Sequence, residues 1–122
     1  MRQEDKEFLL KDLCARLPYE VKINTIQGDF TLLGLTNERV FTTCEVEGCH
    51  NDFPIELIKP YLFPLSSMTE EQEKEYNDLN CYELGCFPHT EAALDYLIKN
   101  QFDFRSLIPK GLAIDATGLN IY

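Results

Sequence analysis

Apolar side chains recur at helical spacing near the start of the chain. Phe8, Leu9, Leu13 and Leu17 fall near one face of a helix over residues 3–17, and Glu7, Lys11 and Arg16 fall away from it. Glu4, Asp5 and Glu7 at its start and Arg16 at its end suit the helix dipole, and Pro18 ends the pattern. The period then changes to two. Val21, Ile23 and Thr25 alternate with Lys22 and Asn24, which predicts a strand. Gln27-Gly28-Asp29 signals a turn, Phe30 to Leu35 a second strand, and Thr36-Asn37-Glu38 another turn. A β-branched and aromatic stretch from Arg39 to Val46 predicts a third strand, and His50 to Phe53 a short fourth after the Glu47-Gly48 turn.

Pro54-Ile55-Glu56-Leu57 reads as one tight turn and Ile58 to Leu62 as a further strand. Pro60 and Pro64 bracket Tyr61-Leu62-Phe63, which predicts an extended connector over the core. Ser67 with Glu70, or Thr69 with Gln72, supplies a capping box for a thinly apolar helix running to about Leu79. Asn80 to Pro88 reads as a loop. Thr90 caps a third helix to about Asn100, with Ala93, Leu94, Leu97 and Ile98 as its buried face. Phe102 to Ile108 packs beside it, and Gly111 to Tyr122 suggests a terminal hairpin.

This order predicts one α+β domain over residues 1–122, strand-rich over 19–63 and helical over 67–110. The expected architecture is an N-terminal helix, a small bent antiparallel sheet or SH3-like barrel, and C-terminal helices packed on it.

Composition narrows the function classes. An apolar fraction of 44% supports a packed core, and a formal charge of −10 disfavours direct binding to nucleic acid or to an anionic membrane. The charged start lacks the apolar stretch of a secretory signal, and the apolar runs are shorter than a membrane span. The expectation is a cytoplasmic protein whose five cysteines are free thiols.

The charge is not evenly spread. Residues 61–90 hold six acids against Lys74 alone, which is half of the net charge. Glu70, Glu71, Glu73, Glu75 and Asp78 crowd one helix, where aligned carboxylates can imitate a phosphate row and occupy a basic groove. The plainer reading is a solvated face favoured by the dipole at the helix start. Aromatic residues are also dense in this half: Tyr61, Phe63, Tyr82, Phe87, Phe102, Phe104 and Tyr122. Exposed, they would mark an interface; buried, they fill the seam between sheet and helices.

Cys44 and Cys49, with adjacent His50, and Cys81 and Cys86, with His89 three residues on, form two loosely spaced candidate zinc knuckles. The spacing lacks the tight two-residue knuckle, and free cysteines near turns are the plainer reading. No nucleophile elbow, phosphate-binding loop, zinc-protease helix or dinucleotide fingerprint occurs. No catalytic residue and no cofactor are implied.

The stretch IKPYLFPLSSMTEEQ (Ile58 to Gln72), with Ala93 to Ala113 and Gly111 to Tyr122, resembles a family of small uncharacterised proteins. Its members come from Bacteroides-type gut bacteria and their prophages or mobile elements. The resemblance covers about the last two-thirds of the chain, and Glu20 to Asp52 does not share it. It implies a bacterial cytoplasmic setting and an accessory role, and carries over no site residue. The expected function is a non-enzymatic accessory or protein-interaction domain. The alternative is an acidic inhibitor of a nucleic-acid-binding protein, and behind it a small zinc protein. A protein partner is expected to meet Glu70, Glu71, Glu73, Glu75, Asp78, Tyr61 and Phe63, on a monomer or homodimer.

Overall fold

The computed structural model describes residues 2–43, 51–82, 85–86 and 91–122, with backbone alone at 80–82 and 85–86. The first helix, α1 (Gln3–Arg16), buries Leu9, Asp12, Leu13 and Arg16, which are spaced by three and four residues on one stripe. Two of the four are charged, which apolar periodicity does not anticipate. Arg16, expected to point away from the core, is fully buried. Phe8, expected in the buried stripe, lies at its rim, 41% exposed, with the Lys110 Nζ 4.0 Å from its ring centroid. A single turn at Leu17–Tyr19 follows, and Glu20 in the left-handed region (φ 56°) swings the chain into the sheet.

The strand-rich half forms much as the two-residue period predicts. β1 (Lys22–Thr25) and β2 (Gly28–Leu35) make an antiparallel hairpin, with Lys22 opposite Thr31 and Thr25 opposite Gly28. Gly28, at φ 128°, occupies a conformation that L side chains rarely adopt. β2 pairs with β3 (Arg39–Thr42) through a bulge at Leu33, the residue between the Leu32 and Gly34 pairs. β4 (Asn51–Pro54) closes this side antiparallel to β3, with Val40 opposite Phe53. The expected third strand ran on to Val46 and the fourth began at His50; residues 44–50 lie outside the described residues. A tight turn at Ile55–Leu57 then leads into β5 (Lys59–Pro64).

β5 corrects the connector expectation. It is an interior strand, antiparallel to β1 and parallel to both β8 (Phe102–Asp103) and β9 (Ile114–Asp115). Proline is tolerated here because no single ladder runs the length of the strand. β1 pairs at Lys59 and Pro60, β9 at Tyr61 and Leu62, and β8 at Phe63 and Pro64. The Leu62 carbonyl accepts from Ala116 N (2.8 Å) and Phe63 N donates to the Gln101 carbonyl (2.8 Å). Successive residues of a strand direct these groups to opposite edges, so β5 is held from both sides.

The sheet among the described residues is therefore open, ordered β4-β3-β2-β1-β5-β8 with β9 also on β5. It is mixed rather than wholly antiparallel, and the architecture is α+β as the element order predicts. The terminal hairpin is not formed: residues 111–122 cross back to β5, where β9 is their one strand among the described residues.

One core joins these elements. Leu9 and Leu13 of α1 pack with Val21, Ile23, Leu32, Val40, Phe53, Ile55, Ile58 and Leu62 of the sheet side, and with Leu107, Leu112 and Ala113. Asp103, also buried, organises that last segment. Its two carboxylate oxygens accept from Leu107 N and Ile108 N, each at 2.9 Å.

α2 (Glu70–Asn80) and α3 (Glu91–Lys99) pack on each other beyond the sheet edge. Of the two capping boxes weighed, Thr69 with Gln72 forms. Thr69 N donates to Gln72 Oε1 (3.0 Å), and Gln72 N donates to Thr69 Oγ1 (3.1 Å). The Ser67 hydroxyl donates instead to the Pro64 carbonyl (2.6 Å). On α3, Ala93 and Leu97 are buried, and Leu94 and Ile98 half-buried. Thr90, the expected cap, lies outside the described residues. Part of the expected loop at 80–88 is a two-stranded pair, β6 (Cys81–Tyr82) with β7 (Gly85–Cys86).

Candidate functional site

Glu70, Glu71, Glu73, Glu75 and Asp78 are all exposed on α2. At about 100° per residue, Glu70, Asp78, Glu71 and Glu75 fall within an arc of about 140° that also holds exposed Lys74, opposite half-buried Gln72 and Tyr76. Glu73 lies on the other flank. Glu75 is not a free carboxylate: its Oε2 accepts from the Tyr96 hydroxyl of α3 at 2.9 Å. Burial first, and then this carboxylate, push the Tyr96 phenol up to about 12.

The two aromatic residues expected at the interface part company. Tyr61 is 6% exposed, and its hydroxyl donates to Asp29 Oδ1 at 2.6 Å. Burial and then the Asp29 carboxylate raise its phenol pKa. It belongs to the sheet rather than to a contact surface. Phe63 instead forms a wall of a cleft of about 430 Å³, within the size range of small-molecule sites. Its ring lies 6.3 Å from Phe102 at 59° and 5.7 Å from Tyr122 at 50°, tilted arrangements that favour aromatic pairs.

The cleft is assembled from five separated parts of the chain. Tyr19 comes from the turn after α1, Phe63 from β5, Gln72 from the first turn of α2, Lys99 and Asn100 from the end of α3, and Thr117, Gly118 and Tyr122 from the last segment. Ser67, just before α2, Gln101 and Phe102 complete it. Gln101 ends α3 in the left-handed region (φ 61°), a position usually given to Gly or Asn. Its side chain is buried and committed. Nε2 donates to the Tyr19 carbonyl (3.0 Å), and Oε1 accepts a long bond from Arg16 Nη1 (3.5 Å). These bonds offset a backbone strain on the order of 1 kcal/mol.

Behind this lining lies a buried charge cluster. Arg16 donates from Nε to Asp12 Oδ2 at 2.8 Å, both side chains being fully buried, and from Nη2 to the Phe102 carbonyl. Arg105, less deeply placed, donates to the other Asp12 oxygen at 3.2 Å. Both guanidiniums approach the Phe104 ring, at 5.6 and 4.7 Å from its centroid. The cluster locks α1 to the strand and turn that carry the cleft.

Tyr122 fastens the other side. Its hydroxyl donates to the Tyr61 carbonyl (2.7 Å) and accepts from Lys22 N (2.9 Å). The residue as a whole is 47% exposed, yet the enclosed hydroxyl end raises the phenol pKa to about 12 through burial.

Two polar ends in the cleft have a fixed sense. Gln72 commits Oε1 to its capping box, so its amide nitrogen is the end left to donate. Asn100 commits Nδ2 to the Tyr96 carbonyl (2.8 Å), so its oxygen is the end left to accept. Lys99 is the one charged residue among those described lining the cleft. Gln72 was readable as a cap from sequence, and Tyr122 as one aromatic among several. Tyr19, Lys99, Asn100 and Gln101 carry no local pattern that marks them.

Cys44, Cys49, His50 and His89 of the zinc candidates lie outside the described residues. Cys81 and Cys86 are paired opposite one another in backbone register. Among the described residues, no three His, Cys, Asp or Glu side chains converge to hold a metal ion, and no helix is long and apolar enough to cross a membrane. No protein-family model, curated protein or solved structure matches the chain.

Proposed function

We propose that this chain is a non-enzymatic accessory domain of the cytoplasm that recognises a basic protein partner through the outer face of α2. The observation that supports this reading most is the placement of Glu70, Glu71, Glu75 and Asp78 on one arc of α2, four carboxylates against Lys74 within it, with Gln72 and Tyr76 half-buried on the opposite side. Like charges on one arc repel, and relieving that repulsion against a positive surface steers association and sets its salt dependence. Phe63 lines the cleft and Tyr61 is buried in β5, so this reading rests on the carboxylates rather than on the two aromatic residues.

Glu71 and Asp78 are seven residues apart on the same side, about 10 Å along the axis. Carboxylates aligned along a helix can imitate a phosphate row, which makes an inhibitor of a nucleic-acid-binding protein the second reading. The resemblance to small proteins of prophages and mobile elements agrees with an accessory role of this kind.

The test is charge reversal. Glu71→Lys with Asp78→Lys leaves the Glu75–Tyr96 bond intact, so loss of binding reports on the surface rather than on the helix pair. Unchanged partner binding, or insensitivity of the complex to salt, contradicts the reading.

A further inference from the structure

The geometry points to the cleft between Phe63, Gln72, Lys99, Asn100 and Tyr122 as a binding site for a nucleoside monophosphate, independent of the acidic face of α2. Three features carry this assignment together.

The first is the wall. Phe63 and Tyr122 meet at 5.7 Å and 50°, and Phe102 backs Phe63 from the buried side. The exposed part of such a wall stacks flat π-systems, and a planar heteroaromatic ring is the ligand shape that uses it best.

The second is the fixed polar pair. In water-exposed amides the donor and acceptor ends interchange freely. Here the capping box holds the Gln72 amide nitrogen free to donate, and the bond to the Tyr96 carbonyl holds the Asn100 oxygen free to accept. A base edge presents both partners: a ring nitrogen or carbonyl to accept, and an amino or imino group to donate. A simple aromatic acid lacks the donor.

The third is charge. In a chain of net charge −10, none of the described residues lining the cleft is acidic, and Lys99 makes no ion pair among the described residues. Lys99 stands at the end of α3 on the rim, where a compact ammonium suits a phosphate. A volume of about 430 Å³ accepts a base, a ribose and one phosphate. The cleft floor is held by the Gln101 bonds to Tyr19 and Arg16, so the site is formed before the ligand arrives.

Isothermal titration of the intact chain with AMP, GMP, CMP and UMP, the four matching nucleosides and sodium phosphate tests this. At least one nucleotide is expected to saturate the protein at millimolar concentration or below. Lys99→Glu is expected to weaken that nucleotide about tenfold while changing its nucleoside less than about twofold. Gln72→Glu keeps the capping box, because a carboxylate accepts from Thr69 N equally well, and replaces the donor by an acceptor. It is expected to weaken the nucleoside by about tenfold and the nucleotide by at least as much, since the new carboxylate also repels the phosphate. The assignment is overturned if no nucleotide saturates, if phosphate alone binds as tightly as the nucleotide, or if both variants bind like the parent. None of these results bears on the α2 surface, whose test uses different residues.

Discussion

Replacing Arg16 by alanine is expected to destabilise the protein more than almost any other single truncation of a charged side chain in it. Arg16 and Asp12 are both at 0% side-chain exposure, and the guanidinium bonds Asp12 and the Phe102 carbonyl at once. Removing one partner of a buried ion pair costs about 3–5 kcal/mol, because the other is left with its desolvation uncompensated. Here Arg105 still holds one Asp12 oxygen, which lowers the penalty. The Phe102 carbonyl loses its donor, which raises it by about 1–3 kcal/mol. The two adjustments roughly offset, so about 4 kcal/mol is expected. With a urea slope of about 2 kcal/mol/M, the midpoint of unfolding falls by about 2 M. Urea denaturation followed by circular dichroism measures it. Asp12→Leu combined with Arg16→Met is expected to be less destabilised than Arg16→Ala, because it removes both buried charges. A midpoint shift below about 0.5 M for Arg16→Ala would refute the burial argument, since that is the behaviour of a solvated arginine.

Asp103→Ala leaves Leu107 N and Ile108 N without acceptors beside the core, and a loss of about 3 kcal/mol in the same assay is expected. Tyr122→Phe strands Lys22 N and the Tyr61 carbonyl, and is expected to cost about 1–3 kcal/mol. The Tyr122 and Tyr96 phenols, pushed up to about 12 against an ordinary value of about 10, bind their protons more tightly folded than unfolded. Their contribution to stability is therefore full below about pH 10 and lost as pH rises from about 10 through about 12. Tyrosinate absorbance should show a late-ionising component that shrinks in Tyr122→Phe and again in Tyr96→Phe.

The parts of this fold that follow from local chemistry were legible in the sequence. Two-residue alternation from Val21 to Thr25 marks β1, and Thr69 with Gln72 marks the start of α2. Pro18 marks the end of α1. The rest depends on contacts far along the chain. Arg16 reads as falling away from the buried face because charged side chains are ordinarily exposed, and only the placement of Gln101 and Phe102, more than eighty residues away, makes its burial beside Asp12 favourable. The strand read at Ile58 to Leu62 is present as Lys59–Pro64, but its two prolines hid its interior position, because their missing donors matter little when three short partners share the strand. β8 and β9 are two residues each, too short for any period to show. The acidic face of α2 was visible as a charge run, whereas the cleft was not, because Tyr19, Phe63, Gln72, Lys99 and Tyr122 meet only after folding.

The partner-binding reading of α2 is tested most directly by affinity capture from a lysate of the native cells, comparing three baits by quantitative mass spectrometry. The baits are the parent chain, the Glu71→Lys/Asp78→Lys variant, and a control reversed at exposed Glu38 in the turn before β3. The account predicts a basic protein enriched equally by the parent and by Glu38→Lys, and lost from the α2 variant. The same protein retained on the α2 variant, or no protein enriched by the parent, contradicts it.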